Sequence, residues 1–431
     1  MKKNKLVPRL RFQEFKNSPS WDITNLGKIS SVIEEKAGKN KYIPLSVTSG
    51  IGLISQTEKF GREIAGNSYK NYIVIRKYDF AYNKSATKQF PEGFISMLNN
   101  YDIAAVPNSI FICFRITDKQ YYPNILNYLF YNNYHGYWLR KYIEVGGRAH
   151  GSLNFDTKHL WDIPIVLPSL EEQKKIADCL DSIDELIEAE KRKLEVLKKY
   201  KKALMQKLFP SEDSSIPELR FAEFKDSGEW ENKKLSEIGK FIRGFSYKGE
   251  DTTNDTSKLL IIRSNNIIPM GITDYKNGLQ YVQKPCKEEQ KLITGDITIC
   301  MANGSRDLVG KASFYDGMYS GDITVGAFCG IFRSKLNITR YLFQTNLYKK
   351  KLDIILSGGN GSIANLRGED ILNLSFYIPK NFQEQQKIAD CLASIDSIID
   401  SQVKRIDNLI KHKKALMQGL FPDMESIEEY E

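Results

Sequence analysis

Two stretches of this chain, 212 positions apart, are versions of one helix. Residues 172–210 read EQKKIADCLDSIDELIEAEKRKLEVLKKYKKALMQKLFP, and residues 384–422 read EQQKIADCLASIDSIIDSQVKRIDNLIKHKKALMQGLFP. Cys179 aligns with Cys391 and Phe209 with Phe421 without a gap. A repeat of this length constrains the architecture before any local propensity is weighed. In the first copy, steps of four and three pick out Ile176, Leu180, Ile183, Ile187, Glu190, Leu194, Leu197, Lys201, Leu204 and Leu208. The second gives Ile388, Leu392, Ile395, Ile399, Gln402, Ile406, Leu409, Lys413, Leu416 and Leu420, with its two polar members at the same places. That spacing lays one narrow apolar stripe along a helix, at the period of a coiled-coil seam. Phe-Pro ends both copies, and proline cannot continue a helix.

So narrow a stripe needs a partner, and the other copy is the obvious one. Each helix is roughly 60 Å long at ~1.5 Å per residue. The segment between them folds to a diameter of roughly 40 Å. That is too short to bridge a parallel pair, so the antiparallel arrangement is expected, with a globular domain at each end.

The repeat extends beyond the helices. Pro8 to Trp21 (PRLRFQEFKNSPSW) returns as Pro217 to Trp230 (PELRFAEFKDSGEW). The unit is therefore a lead segment, a variable domain and a long helix, occurring twice in tandem as a pseudo-two-fold molecule. The boundaries read are 1–168 (lead and first domain), 169–210 (first helix), 211–380 (lead and second domain), 381–422 (second helix) and 423–431 (acidic tail). Both variable domains show short β-rich runs: 71–76, 109–115, 259–263 and 296–301. Each then has a helical stretch, 123–142 and 338–356, running into paired glycines at 146–147 and 358–359. The fold class expected is α+β: two divergent domains separated by two long helices that pair as an antiparallel coiled coil.

Charge and cysteine usage narrow the function. A net charge of +9, with 62 Lys and Arg, is compatible with a polyanionic partner. The six cysteines are scattered and form no C-x-x-C pair, which favours a reducing cytoplasm over a zinc site. No run is long or apolar enough to span a membrane, and the basic N-terminus lacks the apolar stretch of a signal peptide.

The EQ-x-K-I-A-D-C-L and K-K-A-L-M-Q-x-L-F-P segments, the L-R-F-x-E-F leads and the two-domain, two-helix order together resemble the DNA-specificity subunit of type I restriction-modification systems. The resemblance covers nearly the whole chain. It implies that each variable domain recognises one half of a bipartite site in double-stranded DNA. It implies too that the helices set the half-site spacing and dock two methyltransferase (modification) subunits, with restriction/translocase subunits joining through the complex.

Catalytic motifs are missing. There is no Asn/Asp-Pro-Pro-aromatic turn for a flipped adenine and no H-E-x-x-H. The run Gly304 to Ala312 mimics a phosphate loop, but its glycine is one residue too far from Gly310-Lys311, and Ala312 stands where a Ser or Thr would bind Mg²⁺. No cofactor and no catalysis by this chain alone are therefore expected.

Reading duplex DNA calls for cations on phosphates and planar polar groups at base edges. Loops of that composition nominate Asn83, Lys84, Ser85 and Lys88 in the first domain, with Arg148 and His150. In the second they nominate Arg243, Ser246, Tyr247, Lys248, Arg263, Ser264, Asn265, Asn303, Ser305, Arg306, Asn360 and Ser362. The bland alternative for each is a solvated turn. A leftover apolar flank beside the seam nominates Leu186 and Ile398 for partner binding. The lysine clusters at 198–202 and 413–414 read as a solvated coiled-coil face. Two other classes compete with DNA recognition. A protein-binding scaffold would show no salt-dependent DNA affinity, and a self-contained enzyme would bind a cofactor.

Overall fold

The computed structural model describes residues 6–143, 153–357 and 364–422. It divides into two compact units, residues 1–191 with 404–431, and residues 192–403. The long helices are α3 (Leu170–Leu208) and α6 (Phe382–Leu420), and each contributes a part to both units.

In the first unit the core sheet is built from β2 (Ser30–Val32), β4 (Phe80–Asn83), β5 (Phe94–Met97) and β7 (Phe111–Ile116), in the order β2-β7-β4-β5. The strands β1 (Asp22–Asn25) and β8 (Pro164–Leu167) pair antiparallel and bring the chain to the start of α3. Strands β3 (Leu45–Thr48) and β6 (Ile103–Val106) belong to smaller ladders beside the sheet.

The second unit repeats the plan. Its β10 (Gly239–Arg243), β12 (Ile297–Cys300), β13 (Ala312–Phe314) and β15 (Cys329–Ser334) are ordered β10-β15-β12-β13, as in the first unit. The pair β9 (Glu231–Lys234) and β16 (Ser375–Ile378) leads into α6, while β11 (Leu259–Ile262) runs parallel to β14 (Ile323–Val325). Ion pairs on a buried aspartate repeat as well: Arg115 grips Asp79 through two bonds of 2.6 and 2.7 Å, and Arg333 grips Asp296 through bonds of 2.8 and 2.6 Å.

Helix pairing is antiparallel within each unit. In the first, Lys413 of α6 meets Asp184 of α3 at 2.6 Å and Arg405 meets Glu190 at 2.6 Å, so numbers rise on one helix as they fall on the other. Ile176 and Leu180 share a core with Met417, Leu420 and Phe421. In the second, Met205 and Leu208 share a core with Ile388 and Leu392. Lys201 meets Asp396 at 2.5 Å.

The polar members of the stripe are thus inward-facing. Lys201 is buried, bonds to Gln344 at 2.8 Å and lies over the Tyr341 ring. Lys413 lies over Tyr128 and Tyr131. This corrects the reading of the lysine clusters as wholly solvated: Lys198, Lys199, Lys202 and Lys414 are exposed, but Lys201 and Lys413 are not. Polar groups at a seam fix register because any slip strands a buried charge.

Two expected helices are each broken. The stretch 123–142 forms α1 (Pro123–Tyr131) and α2 (Tyr134–Leu139), separated where Asn133 takes φ of 59°, a left-handed conformation that Asn tolerates. The stretch 338–356 forms α4 (Thr339–Leu342) and α5 (Asn346–Ser357). There the Thr345 hydroxyl accepts the Tyr348 N–H at 3.2 Å and starts a new helix.

His135 in α2 is fully buried, its Nε2 3.3 Å from the Gly93 carbonyl. Burial pushes its pKa down from the usual 6.5 to about 4. A depressed folded-state pKa gives stability that is present above pH 6.5 and lost as pH falls towards 4. Between pH 7 and pH 5 the loss is about 2 kcal/mol, at ~1.4 kcal/mol per pH unit. Urea unfolding at both pH values should show that extra loss in the wild type and not in His135→Gln.

Candidate nucleic-acid interface

The second unit shows how strand register builds a loop surface. The C-terminal ends of the parallel pair β11 and β14 lie side by side, Ile262 opposite Val325. The end of β12 meets the start of β15, Cys300 opposite Cys329, and the end of β10 meets the same strand, Arg243 opposite Gly330. These points belong to two four-stranded sheets, and the chain leaving them there forms the nominated loops.

Hydrogen bonds tie these loops together. The Gly326 N–H donates to Ile262 and the Phe245 N–H to Val325, both at 2.8 Å. Met301 N–H donates to the Phe328 carbonyl at 2.8 Å. Asn303 Nδ2 donates to Ser264 Oγ at 3.1 Å, joining two nominated residues directly. Asn303 Oδ1 also accepts the Ser305 N–H at 2.9 Å. Residues 302–303 pair with 364–365, so the chain on the far side of residues 358–363 returns beside Asn303.

The cations differ in how they are held. Arg243 is exposed, and its guanidinium has no partner among the described residues, while its carbonyl accepts from Gln290 at 3.0 Å. Arg263 and Asn265 both donate to the Gly278 carbonyl, at 2.9 and 3.5 Å. Arg306 donates to Ser357 Oγ at 2.9 Å. Lys248 is paired with Glu250 at 3.3 Å, and among the described residues no hydrogen bond links its side chain to the other loops. Ser246 is exposed; Tyr247 is half-buried and stacks on Phe245.

In the first unit the matching rim holds the β4–β5 loop. Asn83 closes β4, and its Oδ1 accepts the Ser85 N–H at 3.0 Å. Lys84 N–H donates to the Ile110 carbonyl at 3.2 Å. Lys88 sits exposed at the loop tip, whose base is pinned by Glu92 to Arg140 and Asn133. The turn after β3 packs alongside: a Cβ on Gly50, whose φ is +80°, would come 3.1 Å from the Phe90 ring. Arg148 and His150, like Asn360 and Ser362, lie outside the described residues.

Sequence reading passed over three segments of these rims: Ser49 to Ile51, Pro107 to Ile110, and Gly326 to Phe328. The Ser-Gly-Ile-Gly turn at 49–52 carried a signal; the others followed only from strand pairing. Leu186 and Ile398 keep 40% and 51% of their surface, each within its own unit.

Among the described residues no cluster of His, Cys, Asp and Glu could hold a metal. Burial raises the thiols of Cys113, Cys300 and Cys329, the last to about 12, so they stay protonated and poorly nucleophilic. The run Gly304 to Ala312 enters β13 rather than a helix, so it offers no helix N-terminus to a phosphate.

Two α+β modules of one sheet order, each followed by one copy of a repeated long helix, make the chain a tandem repeat. The model of the type I restriction modification DNA specificity domain matches residues 22–199 and again 227–412, and the chain belongs to that family. It is 29% identical over 292 residues to the type I restriction enzyme MjaVIII specificity subunit of Methanocaldococcus jannaschii, covering 63% of this chain and 64% of that protein. It is 29% identical over 197 residues to the EcoKI specificity subunit of Escherichia coli, covering 44% of this chain and 41% of that one. The chain thus matches less than two thirds of the length of these relatives. The crystal structure of a type I restriction-modification S subunit from M. genitalium shares the fold, with a TM-score of 0.55 at 16% identity over 97% of this chain and all of that one. Among the described residues no helix is long and apolar enough to cross a membrane.

Proposed function

We propose that this chain is the DNA-recognition subunit of a type I restriction-modification complex, acting in the cytoplasm and without catalysis of its own. The observation that carries the reading is the recurrence, in two modules of one sheet order, of a rim of Asn, Ser and Lys side chains. Each module reads one half of a bipartite site in double-stranded DNA, and methyl transfer and cleavage belong to partner subunits.

The state of each arginine supports a different role for it. Arg243, with a free guanidinium, is the base-reading candidate, since a bidentate Arg distinguishes guanine. Arg306, already held by Ser357, is the phosphate candidate. With the assembled complex and its target duplex, Arg243→Ala should cost about 1–3 kcal/mol and relax one position of the second half-site. Arg306→Ala should weaken all sequences alike and make the salt slope shallower by about one. Affinity independent of salt and sequence in the wild-type complex would favour the protein scaffold instead.

The exposed apolar residues Leu186 and Ile398 are the proposed docking points for two methyltransferase subunits, one on each half of the repeat. Leu186→Asp with Ile398→Asp should abolish co-purification of the methyltransferase while far-UV circular dichroism stays unchanged. Undiminished assembly would remove these residues from the interface.

A further inference from the structure

The register that aligns the two modules also aligns two exposed apolar side chains. Asn83 lies opposite Phe111 as Cys300 lies opposite Cys329. One residue further on, Lys84 N–H donates to the Ile110 carbonyl, and Met301 N–H donates to the Phe328 carbonyl. Ile110 and Phe328 therefore occupy the same place, immediately before the inner strands β7 and β15. Ile110 keeps 40% of its surface and Phe328 keeps 72%.

A single exposed hydrophobic residue is ordinary. Two at one structural position are not explained that way, because the loops around them differ. The connection from Val106 is Pro-Asn-Ser-Ile, and that from Val325 is Gly-Ala-Phe, one residue shorter. Only the apolar character of the last residue is common to both. Neither side chain serves a core, and each stands beside a nominated polar loop: Ile110 beside Lys84, and Phe328 beside the loop of Asn303 and Arg306.

Base edges in the major groove offer hydrogen-bonding groups and one apolar feature, the C5-methyl of thymine. Resting on the reading of this chain as a DNA-recognition subunit, we propose that Ile110 and Phe328 are specificity residues, each packing on the methyl group of one thymine in its own half-site.

The test uses the complete complex with its methyltransferase subunits and the motif read from methylated DNA of cells that carry it. Duplexes are made with each thymine of the motif replaced singly by uracil, which lacks only the methyl group. One replacement in each half-site should weaken binding about fourfold, the effect of losing one buried methyl-sized group. Phe328→Ala should bind the natural duplex about tenfold more weakly and lose the uracil discrimination in the second half-site alone. Phe328→Leu, which keeps an apolar contact, should retain it. Ile110→Ala should lose the uracil discrimination in the first half-site alone. Uracil substitutions without effect, a half-site lacking thymine, or variants that discriminate as the wild type does would overturn the proposal. Weaker binding by Phe328→Ala with discrimination intact would make the residue a wedge between base steps and overturn it too. Failure of the wild-type complex to prefer its own motif would instead sink the reading on which the proposal rests.

Discussion

Glu384→Ala should destabilise the second unit by about 4 kcal/mol, the range for breaking a buried ion pair from one side. Glu384 accepts from Arg220 Nε at 2.7 Å and Nη2 at 2.8 Å, and from the Trp230 indole at 3.2 Å. Both members of the ion pair are more than nine-tenths buried. Removing the carboxylate strands a guanidinium and an indole N–H away from water. The next residue back, Leu219, donates its N–H to the Lys207 carbonyl at 2.8 Å. The lead segment thereby ties the end of α3 to the start of α6, and the same substitution loosens that tie. In the first unit, Arg11 grips Glu172, while Leu10 donates to the Gly419 carbonyl at 2.8 Å. Urea unfolding should show a large loss for Glu384→Ala and a smaller one for Arg220→Met with Glu384→Leu, which leaves no buried charge. The exposed pair Arg76–Glu35 gives the contrast, at no more than about 1 kcal/mol. Equal effects at the two sites would refute the assignment.

The repeat made the two long helices legible, because a stripe at spacings of four and three has no competing reading over so many turns. The L-R-F-x-E-F leads were legible as repeats, but not as ties between helices. Their partners, Glu172 and Glu384, lie 161 and 164 residues away. Lys201 and Lys413 show the same gap, since a lysine looks solvated until Asp396 and Asp184 are known to face it. The identical sheet order was hidden for a related reason: strands of three to six residues carry little pattern, and their pairing is long-range. Among site residues, composition found Ser264 and Asn303 separately, and only folding joined them. Ile110 and Phe328 escaped because an apolar residue beside a strand reads as more strand.

Lengthening both helices should change the DNA that the complex recognises. The proposal that α3 and α6 set the gap between half-sites implies that four residues inserted after Glu190 and four after Gln402 displace the modules along the helix pair by roughly 6 Å and rotate them by about 40°. The insertions preserve pairing because both helices gain the same increment, so the apolar stripes can realign after a matched stutter. The polar contact Glu190–Arg405 and the pairs at Asp184 and Asp396 lie outside the inserted residues. One base pair is about 3.4 Å and about 35°. The rotation matches one added base pair, whereas the translation asks for nearly two. A module must stay in its groove to read base edges, so rotation decides, and the unspecified gap should grow by one. Neither half-site sequence should change, since the loops of Arg243, Ser264 and Asn303 are untouched. Sequencing methylated DNA from cells carrying the lengthened chain and its partner subunits reads gap and half-sites together. An unchanged gap in a complex that still assembles and methylates, or an altered half-site, would show that the distance is set elsewhere.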